Sequence, residues 1–321
     1  MGGLRGEVVS RIAFIFPGQG SQHPGMGKAL AETFPESRGV FDEADEALGE
    51  SLSSTCFEGT EGELALTATT QPAILTVSIA ALKALEARGV AFHCAAGHSL
   101  GEYSAHVSAG TFDFGDAVRS VRARGSFMQE AVPVGHGAMA AILGLDAERV
   151  AELCQEAAGD EVVSPANLNA PVQVVVAGHA SAVDRVVALC IEAGAKRAVP
   201  LQVSAPFHCS LMAPAAERLG PVLAEVDFRD PRIAVYANVS ASPVRTGDEA
   251  RRLLIEQVTA PVRWHPLIEA MANDGVETFV EVGPGKVLSG IARRIRRDLE
   301  VLNVSDPEGV EKVAGLLGGR P

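Results

Sequence analysis

The sequence predicts an α/β protein, a parallel-rich sheet layered with helices and interrupted by a smaller α+β unit. Three observations carry the prediction. Strand-like and helix-like stretches alternate up to residue 132 and again from residue 205. Between them, residues 137–203 read strand, helix, strand, strand, helix, strand, the split βαββαβ order. Finally, 47% of the 321 residues are hydrophobic and only 5% aromatic, with 33 glycines, so an aliphatic core joined by many tight turns is expected.

The elements follow in chain order. "RIAFIF" (11–16) is a strand, broken by "PGQGSQ". Helical patterns cover 25–33, 36–47 and 71–87. The uncharged stretch 64–82 is long enough to suggest a membrane span. Pro72, its threonines and the following Lys83 and Glu86 make it a buried helix of a soluble protein, starting near Gln71. "AFHCAAG" (91–97) is a buried strand, with a helix restarting at Leu100 and another over 116–132. Residues 133–204 form the smaller unit, a ferredoxin-like subdomain. Its strands are 137–144, 161–169, 173–178 and 196–203, and its helices begin at Asp146 and Ser181. The flanking segments, 1–132 and 205–321, form the larger α/β subdomain. There, helix 210–225, strand 232–238, helices 247–258 and 265–273, strand 278–283, helix 287–297, strand 299–304 and helix 307–317 close the chain.

Composition excludes several function classes. A net charge of −13 opposes non-specific nucleic-acid binding, so any anionic partner requires a local basic patch. Five cysteines without a CxxC pair suit a reducing compartment. The N-terminus has no apolar leader, and Gly6 stands where an N-myristoylation signal needs Ser or Thr. A cytoplasmic protein with no membrane partner is expected. No His/Cys/Asp/Glu spacing suggests a metal.

The chemistry points to "GHSLG". Ser99 sits where a buried strand ends and a helix begins, between Gly97 and Gly101. A sharp turn there lifts the hydroxyl above the sheet edge, as in the nucleophile elbow of α/β-hydrolase-like folds. The helix N-terminus directs free N–H groups at an anion forming beside Ser99. GxSxG alone also fits a serine used only for packing; the strand–turn–helix context favours the nucleophile. The hydroxyl needs a base. His98 adjoins it but points apart, and His23, His93, His106, His136 and His179 lack supporting context. His208, in "SAPFHCSLM" where the chain re-enters the larger unit, is the leading candidate, with His265 as competitor.

"FIFPGQGSQ", "GHSLGEYSA", "RGSFMQEAVP", "APFHCSLM", "EQVTAPVRW" and "EVGPGKVL" occur in that order. Together they resemble the malonyl-CoA:acyl-carrier-protein transacylases of bacterial fatty-acid synthesis, over roughly residues 11–318. The acyltransferase domains of polyketide synthases are similar. The resemblance implies an acyltransferase that uses malonyl-CoA and acyl carrier protein, with no cofactor of its own, since phosphopantetheine belongs to the carrier. It makes Ser99 the nucleophile and His208 the base, with the main-chain carbonyl of Gln257 orienting the imidazole in place of an acid. It assigns the oxyanion hole to the N–H groups of Gln19 and Leu100. It also assigns the substrate carboxylate to Arg124, which sequence alone cannot prefer over Arg119 or Arg122. Phe207 is implied as a bias toward malonyl over methylmalonyl. The carrier is acidic in this family, so the basic stretch carrying Lys286, Arg293, Arg294, Arg296 and Arg297 is a candidate docking patch, with Lys196 and Arg197 second. A serine thioesterase, a non-catalytic carrier-binding scaffold and a free-standing acyltransferase serving a polyketide synthase are the alternatives.

Overall fold

A computed structural model describes residues 11–203 and 205–319. The segment read as lacking a leader, residues 1–10, lies outside the described residues. So does Ser204, at the expected boundary between the two units.

Two sheets organise the chain. The larger contains β1 (Arg11–Phe16), β2 (Cys94–Gly97), β7 (Ala234–Tyr236), β8 (Pro243–Val244), β9 (Val276–Val282) and β10 (Glu300–Val304), in the order β10-β9-β1-β2-β7-β8. All neighbours are parallel except β7 and β8. Every β2 residue is buried, as expected for a parallel strand covered on both faces. The smaller sheet contains β3 (Gly137–Leu143), β4 (Val163–Ala170), β5 (Gln173–His179) and β6 (Arg197–Pro200). It is antiparallel, in the order β4-β5-β3-β6. Helices Ala147–Ala158 and Ala180–Glu192 bury one of its faces, giving the ferredoxin-like arrangement. β4 is tied to the segment just before helix Trp264–Asn273, where Leu168 N–H donates to Val262 O (2.8 Å) and Val262 N–H to Ala166 O (2.9 Å).

Helix Thr67–Glu86 is apolar on nearly every side and runs through the main core. It is long and apolar enough to cross a membrane, but 83% of its apolar window is buried within the protein. It starts four residues before the expected Gln71. Thr67, Thr69 and Thr70 are β-branched, weak helix formers, and the burial of Thr67 and Thr70 overrides that preference. Helices Leu52–Glu58 and Glu61–Ala65, absent from the sequence reading, are too short to show a period. The second begins with a capping box between Thr60 and Glu63. Several strands are shorter than read. β2 begins at Cys94 because the His93 ring, not its backbone, accepts the Ile12 N–H at 3.0 Å.

Around Ser99 the chain passes very close to itself. An added Cβ at Gly97 would lie 1.8 Å from the Gly101 carbonyl carbon, and one at Gly101 would lie 2.1 Å from Phe16 O. Both obstacles are backbone, so neither can swing aside. Gly101→Ala is expected to cost about 3 kcal/mol or more in a urea unfolding titration, at or beyond the usual overpacking range. Gly39→Ala, in an exposed helical position with nothing within 4 Å of the new methyl, should be neutral or slightly stabilising. Equal effects at the two sites would show that the close approach does not constrain the fold.

Candidate active site

Ser99 occupies the bend between β2 and helix Gly101–Ser108, at φ 51°. Left-handed backbone in a non-glycine residue costs on the order of 1–3 kcal/mol and persists only where neighbours hold it. Asn238, just past β7, does the holding. Its Oδ1 accepts from Ser99 N–H at 2.7 Å, and its Nδ2 donates to Gly97 O at 2.7 Å. One buried amide therefore clamps both arms of the turn. Glu102 Oε2 in turn accepts from Asn238 N–H at 3.0 Å.

His208 is 3% exposed, and its backbone is also left-handed, at φ 62°. Its Nε2 lies 2.7 Å from Ser99 Oγ, and its Nδ1 lies 2.9 Å from Gln257 O. A carbonyl can only accept, so Nδ1 carries the proton and Nε2 is left to accept from the serine hydroxyl. Gln257 caps the C-terminus of helix Gly247–Glu256, where backbone carbonyls lack helical partners. Burial, and next the positive charge of Arg124, push the His208 imidazole down to about 3, so it is neutral at physiological pH. His265 instead sits at the start of helix Trp264–Asn273, 3.7 Å from Glu269. His98 turns its Nε2 to Asn169 Oδ1 at 2.9 Å. Of the histidines considered as base, His208 is the one placed on the Ser99 hydroxyl.

The three arginines of helix Phe114–Glu130 separate clearly. Arg119 pairs with Asp116 and Arg122 with Glu50, near the surface. Arg124 is 1% exposed. Its Nη1 donates to Gln71 Oε1 (2.7 Å), and its Nη2 to Gln257 Oε1 (2.9 Å) and Ser99 Oγ (3.1 Å). All three acceptors are neutral, and among the described residues no carboxylate pairs with it directly. Burial lowers its pKa. A buried guanidinium without a directly paired anion is a costly arrangement that an arriving carboxylate relieves.

Ser99, Leu100, Arg124, Phe207, His208 and Gln19 line one cavity of about 110 Å³, with Met128 and Met139 on its apolar side. It has room for a short acyl group. Among the described residues, neither the Leu100 nor the Gln19 N–H donates to another protein group. A second cavity, of about 180 Å³, shares Gln19, His98, Asn167 and Leu201 with the first and continues past Ser21 to Val287 and Ile291. The site is thus reached along the seam between the two sheets. Lys286 and Val287, at the outer end, are exposed. Glu281 fixes the helix there by accepting from Leu288 N–H (3.0 Å) and Ser289 N–H (2.7 Å). Arg294 reaches Gln173 Oε1 at 2.9 Å, while Arg293 donates to Val301 O at 2.7 Å. These basic residues lie outside the inner cavity. Among the described residues no group of three His, Cys, Asp or Glu side chains could hold a metal ion.

Gln71, Glu102 and Asn238 were not singled out in the sequence. Gln71 had one available signal, a polar side chain in an otherwise apolar helix. Asn238 and Glu102 had none, because their roles depend on contacts more than a hundred residues away in the chain.

The model of the acyl transferase domain family matches residues 13–316. A malonyl CoA-acyl carrier protein transacylase of Bacillus subtilis is 51% identical over 304 residues, covering 94% of this chain and 96% of the relative. The corresponding transacylase structure from Coxiella burnetii superposes with a TM-score of 0.94 at 41% identity, covering 96% of this chain and 98% of that one. A structure of a type II PKS acyl-carrier protein in complex with its malonyl-transacylase matches with a TM-score of 0.93 at 44% identity, covering 96% and 100%. Convergence on a serine–histidine pair would not keep half of the residues in register from one end of both chains to the other, so this chain belongs to the malonyl-CoA:acyl carrier protein transacylases of the acyltransferase family.

Proposed function

We propose that this chain transfers a malonyl group from malonyl-CoA to the phosphopantetheine thiol of an acyl carrier protein through a malonyl ester on Ser99. The observation that carries the reading is the Arg124 guanidinium 3.1 Å from the Ser99 Oγ, which is itself 2.7 Å from His208 Nε2. His208 Nε2 takes the hydroxyl proton as Oγ bonds to the thioester carbon. The Leu100 and Gln19 N–H groups receive the developing oxyanion. The C–S bond breaks, and CoA leaves with the proton from His208. The carrier thiol then gives its proton to His208 and attacks the ester carbon, the C–O bond to Ser99 breaks, and Oγ takes the proton back from His208. Every step uses groups of this chain and its two substrates. The Gln257 carbonyl fixes the imidazole tautomer, a large part of what an acid does in other triads.

Selectivity follows from charge. The malonyl carboxylate pairs with Arg124 bidentately, whereas acetyl leaves the guanidinium alone. Phe207, nearly buried against the same cavity, disfavours an α-methyl group more weakly, by about 1–3 kcal/mol. Five buried, unpaired cysteines suit a reducing compartment and support a cytoplasmic location.

Mass spectrometry after mixing with malonyl-CoA tests the reading. One malonyl group should appear on Ser99 and none on Ser99→Ala. Arg124→Ala should reduce the preference for malonyl over acetyl by about a hundredfold or more, the equivalent of losing a buried ion pair. Absence of the adduct, or rapid loss to water without carrier, would contradict transfer. Lys286 and Arg294 are the proposed contacts for the acidic carrier. Reversing both charges should raise the carrier's KM about tenfold at low salt, and an unchanged KM would remove this patch.

A further inference from the structure

Glu102 is fully buried, one turn beyond the nucleophile, and forms no ion pair among the described residues. Its Oε2 accepts from Gln257 Nε2 at 2.7 Å and from Asn238 N–H at 3.0 Å. Its Oε1 has no hydrogen-bond partner among the described residues. The Gln257 amide stands between this carboxylate and the guanidinium: its oxygen accepts from Arg124, and its NH₂ group donates to Glu102 and, at 3.0 Å, to Ser99 O. The amide dipole therefore lies from anion to cation, the orientation that lowers the energy of both. The charged and titratable groups acting on Glu102 are Arg124, from helix Phe114–Glu130, and Tyr103, its neighbour. Asn238 and Gln257, from the other elements packed on it, are neutral.

We propose that Glu102 is the resident counter-charge of Arg124, acting through the Gln257 amide, and that it takes up a proton when the carboxylate of the acyl group reaches the guanidinium. The inference rests on the malonyl-transfer reading and deepens it. One cation then faces two anions in a dry site, and the resident anion is the one that can be neutralised. Oε1, having no hydrogen-bond partner among the described residues, is the atom free to carry the proton, which the buffer supplies. Burial already pushes Glu102 up to about 7, so the change needs only a further rise. The sign follows from linkage. A group whose proton affinity rises on binding makes binding tighter as pH falls, by up to about tenfold per unit between its pKa in the free protein and its higher pKa in the complex. In this account Glu102 is a positioning residue and never touches substrate.

The test is calorimetry on the full chain with Ser99→Ala, which blocks acylation, from about pH 6.5 to about pH 9 in two buffers of different ionisation heat. Malonyl-CoA binding should take up as much as one proton near pH 8 and weaken about tenfold per unit above pH 7. Acetyl-CoA, with the same nucleotide but no carboxylate, should do neither. Glu102→Gln keeps an oxygen for Asn238 and Gln257 while removing the charge, and should abolish the uptake and flatten the malonyl curve. Uptake persisting in Glu102→Gln, or equal for the two thioesters, overturns the proposal. If that variant fails to fold, the comparison of the two thioesters decides alone. If wild-type enzyme forms no malonyl-Ser99, the transfer reading itself fails; if the adduct forms without differential uptake, only the role of Glu102 fails.

Discussion

The Gln257 carbonyl accepts the Nδ1 proton of His208 at 2.9 Å, and the amide of the same residue touches Arg124, Glu102 and the Ser99 backbone. Base, carboxylate holder and nucleophile are therefore registered to one buried residue at the end of one helix. Moving that helix end would displace the imidazole and the guanidinium together. A carboxylate in place of the carbonyl would hold the ring equally well but would add a second anion close to Arg124. A neutral orienting group leaves the positive potential of Arg124 available to substrate, and the resident Glu102 is kept one amide away.

The site is assembled from strained pieces held by rigid ones. Ser99 and His208 both carry left-handed backbone, which their side chains disfavour. Each is fixed by groups from distant parts of the chain: Asn238 clamps the first, and Gln257 anchors the ring of the second. The larger sheet supplies the ledge, with β1 and β2 in parallel register from Ala13–Cys94 to Phe16–Gly97. The smaller sheet supplies the opposite wall. Asn167, Asn169 and Val175 line the outer cavity, and Met139 lines the inner one. Because the chain leaves the large unit after helix Phe114–Glu130 and returns just before His208, this wall is inserted between Arg124 and the base in sequence while enclosing both in space.

Features written in local sequence were legible. The elbow glycines, the βαββαβ order and the alternation around it depend on short-range sterics and periodicity, and the structure has them at those positions. The limits of strands were read less well. His93 replaces a backbone acceptor with its ring, which no periodicity reveals. Helix Thr67–Glu86 starts before the expected Gln71 because threonines disfavour helix only weakly, and the burial of Thr67 and Thr70 decides the outcome. At the site, composition gives no basis for choosing Arg124 over Arg122; the family resemblance makes the choice, and the helix face that meets Gln71 and Gln257 supplies its physical reason. Asn238 and Glu102 were invisible for the same reason, since each works only through partners brought close by the sheet.

The central claim is that a neutral imidazole, oriented by a main-chain carbonyl, faces the Ser99 hydroxyl. Nitrogen-15 NMR of His208 tests it most directly, by reporting which ring nitrogen carries the proton as pH changes. The account predicts a proton on Nδ1 and a bare Nε2 from about pH 8 down to about pH 5, because the ring is pushed down to about 3 by burial and Arg124 and stays neutral above that value. A proton resident on Nε2, or a ring that becomes doubly protonated near the ordinary histidine value, would contradict it.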